Sequence, residues 1–166
     1  MKSSIKIIKL SIVILLSIAC CVIAYFMYNE YSIAKSLTQN DGEYIVVLHG
    51  LGRSSWSMQK LGLKLAKEGY RVIVIDYPTR SDTIEKLVDN VIQKEIEEKY
   101  IDKHEKINFV THSMGGIAVR YLLNTYEYEQ LNRVVMLSPP NKGSALADTY
   151  SKVDILNIIL GPALEQ

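Results

Sequence analysis

The chain has 166 residues, enough for one domain, and its 48% hydrophobic and 22% charged content is globular rather than disordered. A net charge of +1, with no basic stripe and no acidic tail, excludes nucleic acid as a partner on bulk electrostatics. Three of the basic residues, Lys2, Lys6 and Lys9, precede the first apolar segment; without them 16 basic side chains face 18 acidic ones.

Residues 1–9 form a basic N-terminus expected to stay in the cytoplasm. Leu10 to Tyr28 is an apolar run of 19 residues interrupted only by Ser11 and Ser17. At the helical rise it spans roughly 28 Å, close to the hydrocarbon thickness of a bilayer. With lysines on its N-terminal side, residues 10–28 read as an uncleaved, single-pass signal anchor that leaves the rest of the chain exported. Cleavage and secretion is the alternative, although no A-x-A pattern follows the apolar core. Lipid modification at Cys20 is a third reading, since Ser17-Ile18-Ala19-Cys20 is similar to a lipoprotein box that lacks its large aliphatic residue at Ser17. Both cysteines, Cys20 and Cys21, lie in this segment, so the exported part can hold neither a disulfide nor a thiolate metal site.

Residues 29–43 are mixed and polar and read as a linker; residues 44–166 form the domain. Tyr44–Leu48 is a β-branched strand closed by His49-Gly50. A helix is expected from Trp56 to Glu68, ended by Gly69 in the C-capping position. Arg71–Ile75 is the second strand, closed by Asp76-Tyr77-Pro78. Ile84, Leu87, Val88, Val91, Ile92 and Ile96 fall on one helical face, with Asp82 and Glu85 spaced as a capping pair. Ile107–Val110 is the third strand, a helix runs from after Ser113 to Tyr126, and Arg133–Leu137 is the fourth strand. All four strands are apolar on both faces, the pattern of a parallel sheet covered by helices. The array β-α-β-α-β-α-β predicts an α/β, doubly wound, mostly parallel sheet preceded by one transmembrane helix. Ligands of such sheets bind beyond the carboxyl ends of the strands. Here those ends are His49-Gly50-Leu51-Gly52, Asp76-Tyr77-Pro78, His112-Ser113-Met114 and Ser138-Pro139-Pro140.

Thr111-His112-Ser113-Met114-Gly115-Gly116 lies between a strand and a helix, the setting of a nucleophile elbow. Such a turn lifts the Ser113 hydroxyl clear of the sheet, and Gly115 lets the backbone pass close to it. The amide of Met114, at the start of the helix, is placed to donate to an oxyanion. The first loop, with Gly50 and Gly52, can approach a substrate closely and offers the Leu51 amide as second donor. His49 is expected to orient that loop, and His112 to project away from Ser113 into the surrounding packing. His104 reads as a surface residue, and three scattered histidines argue against a metal site. Gly50-Leu51-Gly52 with Asp76 also fits a dinucleotide-binding layout, but Ser55 stands where its third glycine belongs. Tyr121, Tyr126 and Tyr128 suggest packing only.

Three blocks make the chain resemble the α/β-hydrolase family, lipase and esterase branch: His49–Gly52, Thr111–Gly116, and Ser138-Pro139-Pro140-Asn141-Lys142-Gly143-Ser144. The resemblance implies hydrolysis of carboxylic esters, lipid-like ones included, through an acyl-enzyme on Ser113. Leu51 and Met114 would stabilise the oxyanion, and neither metal nor organic cofactor is implied. Thr111 replaces the first glycine of G-x-S-x-G. The family's acid and histidine follow the nucleophile, whereas no histidine follows Ser113 in this sequence and Asp148 and Asp154 come too early. The expectation is therefore the N-terminal part of a longer hydrolase, with little turnover as the 166-residue chain. A non-catalytic binding or assembly module on the same scaffold is the alternative. The apolar segment Ile155 to Leu160 would invite self-association.

Overall fold

The computed structural model describes residues 2–141. Lys142, Gly143, Ser144, Asp148, Asp154 and the Ile155 to Leu160 segment lie outside them. Two compact units divide after Ser36.

The first unit is carried by helix α1, Lys2–Thr38, so helical backbone continues through residues 29–38 of the stretch read as a linker. Within it, Ser11–Asn29 has a mean hydropathy of 2.4 and is exposed throughout, long and apolar enough to cross a membrane.

Among the described residues, the second unit is a four-stranded, all-parallel sheet with helices. Its strands are β1 Tyr44–Leu48, β2 Arg71–Ile75, β3 Ile107–His112 and β4 Leu131–Leu137, in the order β2-β1-β3-β4. Parallel neighbours need crossover connections, supplied by α2 Trp56–Lys67, the helical run of α3 Ile84–Leu87 and α4 Gln93–Lys99, and α5 Gly115–Thr125. A π-helical turn, Val88–Ile92, joins α3 to α4. Its Asp89 accepts from the hydroxyls of Tyr126 (3.0 Å) and Tyr121 (3.4 Å), and Tyr128 donates to Gln93 at 2.5 Å. The tyrosines thus tie α5 and its following turn to the π turn by hydrogen bonds, beyond packing alone. The predicted Asp82–Glu85 capping pair does not form the helix start. Thr83 is the N-cap without a side-chain cap bond, and Asp82 pairs with Lys86 at 3.3 Å. Gly69 does follow the end of α2, with φ +94°.

β1 is central and buried along its whole length. Val46, Leu48, Ile75, Ile92, Ile96, Phe109 and Leu122 form the centre of the core. β4 departs from the expectation of two covered faces. It borders only β3 among the described residues, and Leu131, Val135 and Leu137 are exposed. At the amino ends of the strands, Asn108 donates to Glu43 (2.9 Å) and to the Tyr44 carbonyl (3.0 Å). The opposite, carboxyl edge carries the loops of the candidate site.

Candidate functional site

Ser113 sits between β3 and α5 with φ +52°, a left-handed conformation that a residue with a Cβ adopts only under constraint. The constraint is visible on three sides. The Ser113 amide donates to the Leu137 carbonyl at 2.9 Å, extending the β3–β4 ladder into the turn, and its carbonyl accepts from Gly116 N–H at 2.9 Å. A Cβ on Gly115 would stand 2.9 Å from the carbonyl oxygens of both Leu48 and His49, so α5 can start only where β1 ends and only with glycine. A Cβ on Gly50 would lie 3.1 Å from the Ser113 Cβ, which puts the first loop against the turn. Gly116 packs in the same way under Pro139, whose Cβ lies 3.0 Å from the position a Cβ there would take. Asn141 in that loop accepts a hydrogen bond from Arg120 of α5.

The structure thus brings Gly50, Ser113 and Gly115 together. Ser113 is half-buried, and its hydroxyl has no hydrogen-bond partner among the described residues. The same holds for the amides of Leu51 and Met114. An unpaired N–H at a helix start is a standing donor for a developing negative charge.

His49 is fully buried. Its Nδ1 lies 3.0 Å from the Gly50 carbonyl, which can only accept, so Nδ1 carries the proton. Nε2 then accepts from Tyr77 N–H at 3.4 Å, and the Tyr77 ring stacks on the imidazole at 4.2 Å. The Tyr77 hydroxyl donates to the His49 carbonyl. Burial holds the imidazole below its ordinary value, outweighing the Gly50 carbonyl and the Asp76 carboxylate, which pull the other way. A buried neutral histidine supports the fold above its unfolded pKa of about 6.5 and loses that support as the pH falls below it. Thermal midpoints are therefore expected to fall from neutral pH towards pH ~5, with a shallower slope in His49→Gln. An unchanged slope would remove His49 from the balance.

The β2 end holds the first loop by further bonds. Thr79 Oγ1 accepts from Gly52 N–H at 2.9 Å, and Asp76 Oδ1 accepts from Ser55 N–H at 2.6 Å. Gly52 has φ +66°, suited to its lack of a Cβ. Asp76, Tyr77 and Pro78 read in the sequence as a strand end that organises the loop, but Thr79 and the stacking and hydrogen-bonding partner of Tyr77 were not readable there. Their partners lie 27 and 28 residues away, and no local pattern marks them. Burial pushes the Tyr77 hydroxyl well above its ordinary value, so it remains a donor. Tyr77→Phe should cost about 1–3 kcal/mol in chemical denaturation, because a buried carbonyl loses its partner.

His112 corrects the expectation of a packed structural histidine. It ends β3 beyond the covered part of the sheet and is exposed, with Nδ1 3.1 Å from where a Cβ on Gly50 would be. His104 lies on the surface, in a turn where its amide donates to Asp102. Thr111 is fully buried, and its hydroxyl has no partner among the described residues. Thr111→Val, which replaces that hydroxyl by a methyl group, should raise stability by about 1 kcal/mol; a loss would reveal a hidden partner. No three His, Cys, Asp or Glu side chains converge as a metal site among the described residues.

Comparison with known proteins agrees with this architecture. Residues 26–162 match the family described as a domain of unknown function, DUF7379. The mature-form lipase BlEst2 of Bacillus licheniformis superposes with a TM-score of 0.59 at 29% identity, over 75% of this chain and 54% of that one. Triacylglycerol lipase 2 of Saccharomyces cerevisiae is 32% identical over 96 residues, covering 53% of this chain and 29% of that protein. Norfluorocurarine synthase 2 of Strychnos sp is 29% identical over 90 residues, 51% of this chain and 34% of that protein. The chain thus spans about half the length of the lipase structure and its matches cover about a third of the curated relatives. The chain belongs to the DUF7379 family, and its fold is that of the α/β-hydrolases, lipase and esterase branch.

Proposed function

We propose that the domain is built to hydrolyse carboxylic esters, with Ser113 as nucleophile and the amides of Leu51 and Met114 as oxyanion donors. The observation that carries this reading is the left-handed Ser113 with a hydroxyl that has no partner among the described residues, Gly50 against its Cβ and Gly115 packed on the end of β1. Serine attack on an ester carbonyl puts negative charge on the carbonyl oxygen, where fixed N–H donors act without reorganising. Collapse of that intermediate expels the alcohol and leaves the acyl group on Oγ; water then releases the acid. The names of the similar lipases support an ester substrate.

No described side chain hydrogen-bonds the Ser113 hydroxyl as a base would. Both ring nitrogens of His49 are engaged. Acylation by the described residues alone is therefore expected to be slow, because oxyanion donors without the base retain only part of the rate. The test is a fluorophosphonate probe with intact-mass detection on the full chain. Slow, single-site labelling that disappears in Ser113→Ala is expected. A folded protein that takes no label would favour the non-catalytic binding module, and labelling as fast as that of a Ser–His pair would show that a base is present.

The domain is further proposed to sit outside the cytoplasmic membrane, held by the apolar helix after the three N-terminal lysines. Resistance to alkaline carbonate extraction, with Met1 retained, is the outcome expected of an anchor. A shortened N-terminus would mean a cleaved signal.

A further inference from the structure

Beside the first loop, the carboxyl ends of β1 and β2 border an open cleft of about 640 Å³ lined by Gly52, Arg53, Trp56, Tyr77, Pro78 and Arg80 among others. Both guanidinium groups are exposed, and neither has an ion-pair or hydrogen-bond partner among the described residues. The lining carries one carboxylate, Asp76, whose Oδ1 is engaged by the Ser55 amide at 2.6 Å and faces His49 at 3.5 Å. Two cations against one committed anion leave the cleft positive. Trp56 stands at its rim with 75% of its surface exposed, a large apolar plate next to the charge. Arg80 also lies on the loop that carries the Leu51 amide: its Nη2 is 2.9 Å from where a Cβ on Gly52 would be.

Unpaired arginines offer forked donors that match the oxygens of a phosphate group, and two such residues can hold different oxygens of one tetrahedral anion. An indole beside them suits the apolar body to which that phosphate is attached. We infer that this cleft holds a phosphate group carried by the ester substrate, seating it beside the loop that faces the reacting carbonyl. The inference names a substrate class for the Ser113 site and rests on that reading.

Trp56 is the sole tryptophan of the chain, so its fluorescence reports the cleft directly. The full-length Ser113→Ala protein in detergent would be titrated with dihexanoylphosphatidate and with dihexanoylglycerol, which differ only in the phosphate. A saturable change in Trp56 emission is expected with the first and at least a tenfold weaker response with the second. Arg80→Ala and Arg53→Ala should each weaken the response on the order of tenfold, as for lost hydrogen bonds to a charged group, and Arg80→Lys should recover part of it. Competition by inorganic phosphate would mark the bare anion as sufficient; its absence, with phosphatidate still bound, would mark the phosphate together with its lipid body. Equal responses to the charged and neutral lipids, or undiminished binding in both alanine variants, would overturn the inference. Binding does not need Ser113, so a cleft that fails while Ser113 still takes the fluorophosphonate leaves the hydrolase reading standing. Binding without labelling would do the reverse.

Discussion

Gly115→Ala should destabilise the domain by about 3 kcal/mol, the upper part of the range for forcing atoms into a packed interior. The new Cβ would meet two backbone oxygens at 2.9 Å, those of Leu48 and His49, and neither can swing away as a side-chain tip would. The His49 carbonyl is also the acceptor of the Tyr77 hydroxyl, and the Leu48 backbone belongs to the fully buried central strand. Relief would therefore have to come from α5, moving Met114 and Ser113 with it. Denaturant midpoints of Gly115→Ala and Gly116→Ala give the comparison. At Gly116 the contact is 3.0 Å to a Pro139 side-chain carbon, in an exposed-edge loop that can yield, and the cost should be smaller. Equal costs would mean that α5 is free to shift at its start.

Ser113→Gly should act in opposite directions on function and fold. Covalent labelling disappears entirely with the hydroxyl. Stability is expected to rise by up to about 1 kcal/mol, since a non-glycine residue in the left-handed region carries a strain of roughly 1–2 kcal/mol, partly offset by the greater unfolded-state freedom of glycine. Strain retained at the one residue proposed to react is the mark of a turn kept for its geometry. Calorimetry of Ser113→Gly beside Ser113→Ala separates the two contributions, because alanine removes the hydroxyl and keeps the Cβ. If glycine is no more stable than alanine, the strain is not stored at this position.

The parts of the fold legible in the sequence are those coded by neighbours along the chain. Tyr44–Leu48 and Arg71–Ile75 have the observed strand bounds because both are short β-branched runs closed by polar or turn residues. Gly69 marks the end of α2 for the same local reason. The sharp turn at Ser113 could be anticipated because strand, serine, two glycines and helix occur within a few residues. What escaped depends on partners far apart in sequence: the Tyr77 stack on His49, the Thr79 bond to Gly52, the tyrosine bonds to the π turn. His112 was misplaced because its burial depends on how far the sheet is covered beyond β3, which its own neighbours do not encode. The apolar residues of β4 gave no sign that the strand would border a single neighbour among the described residues.

The strand order has a consequence for the sequence in which the site comes into being. β1 is made first yet lies between β2 and β3, so its two edges are completed at different times during synthesis. The bonds that fix the first loop reach at most 28 residues forward, to Tyr77. Those joining β1 to β3 reach 64, as from Tyr44 to Asn108. A nascent chain that has just passed Thr79 already holds the hydrogen-bond partners of the loop, while the other edge of β1, and the turn that packs on Gly50, are still to come. Pairing with β3 is the long-range, slow step, and Ser113, at the far end of that strand, is pressed into its left-handed turn only when the step is complete. Along the chain, the hydrogen-bond partners of the first loop thus all come before those that hold Ser113, the last of them Leu137, and the edge of β1 that faces β3 is the one whose neighbour is encoded later.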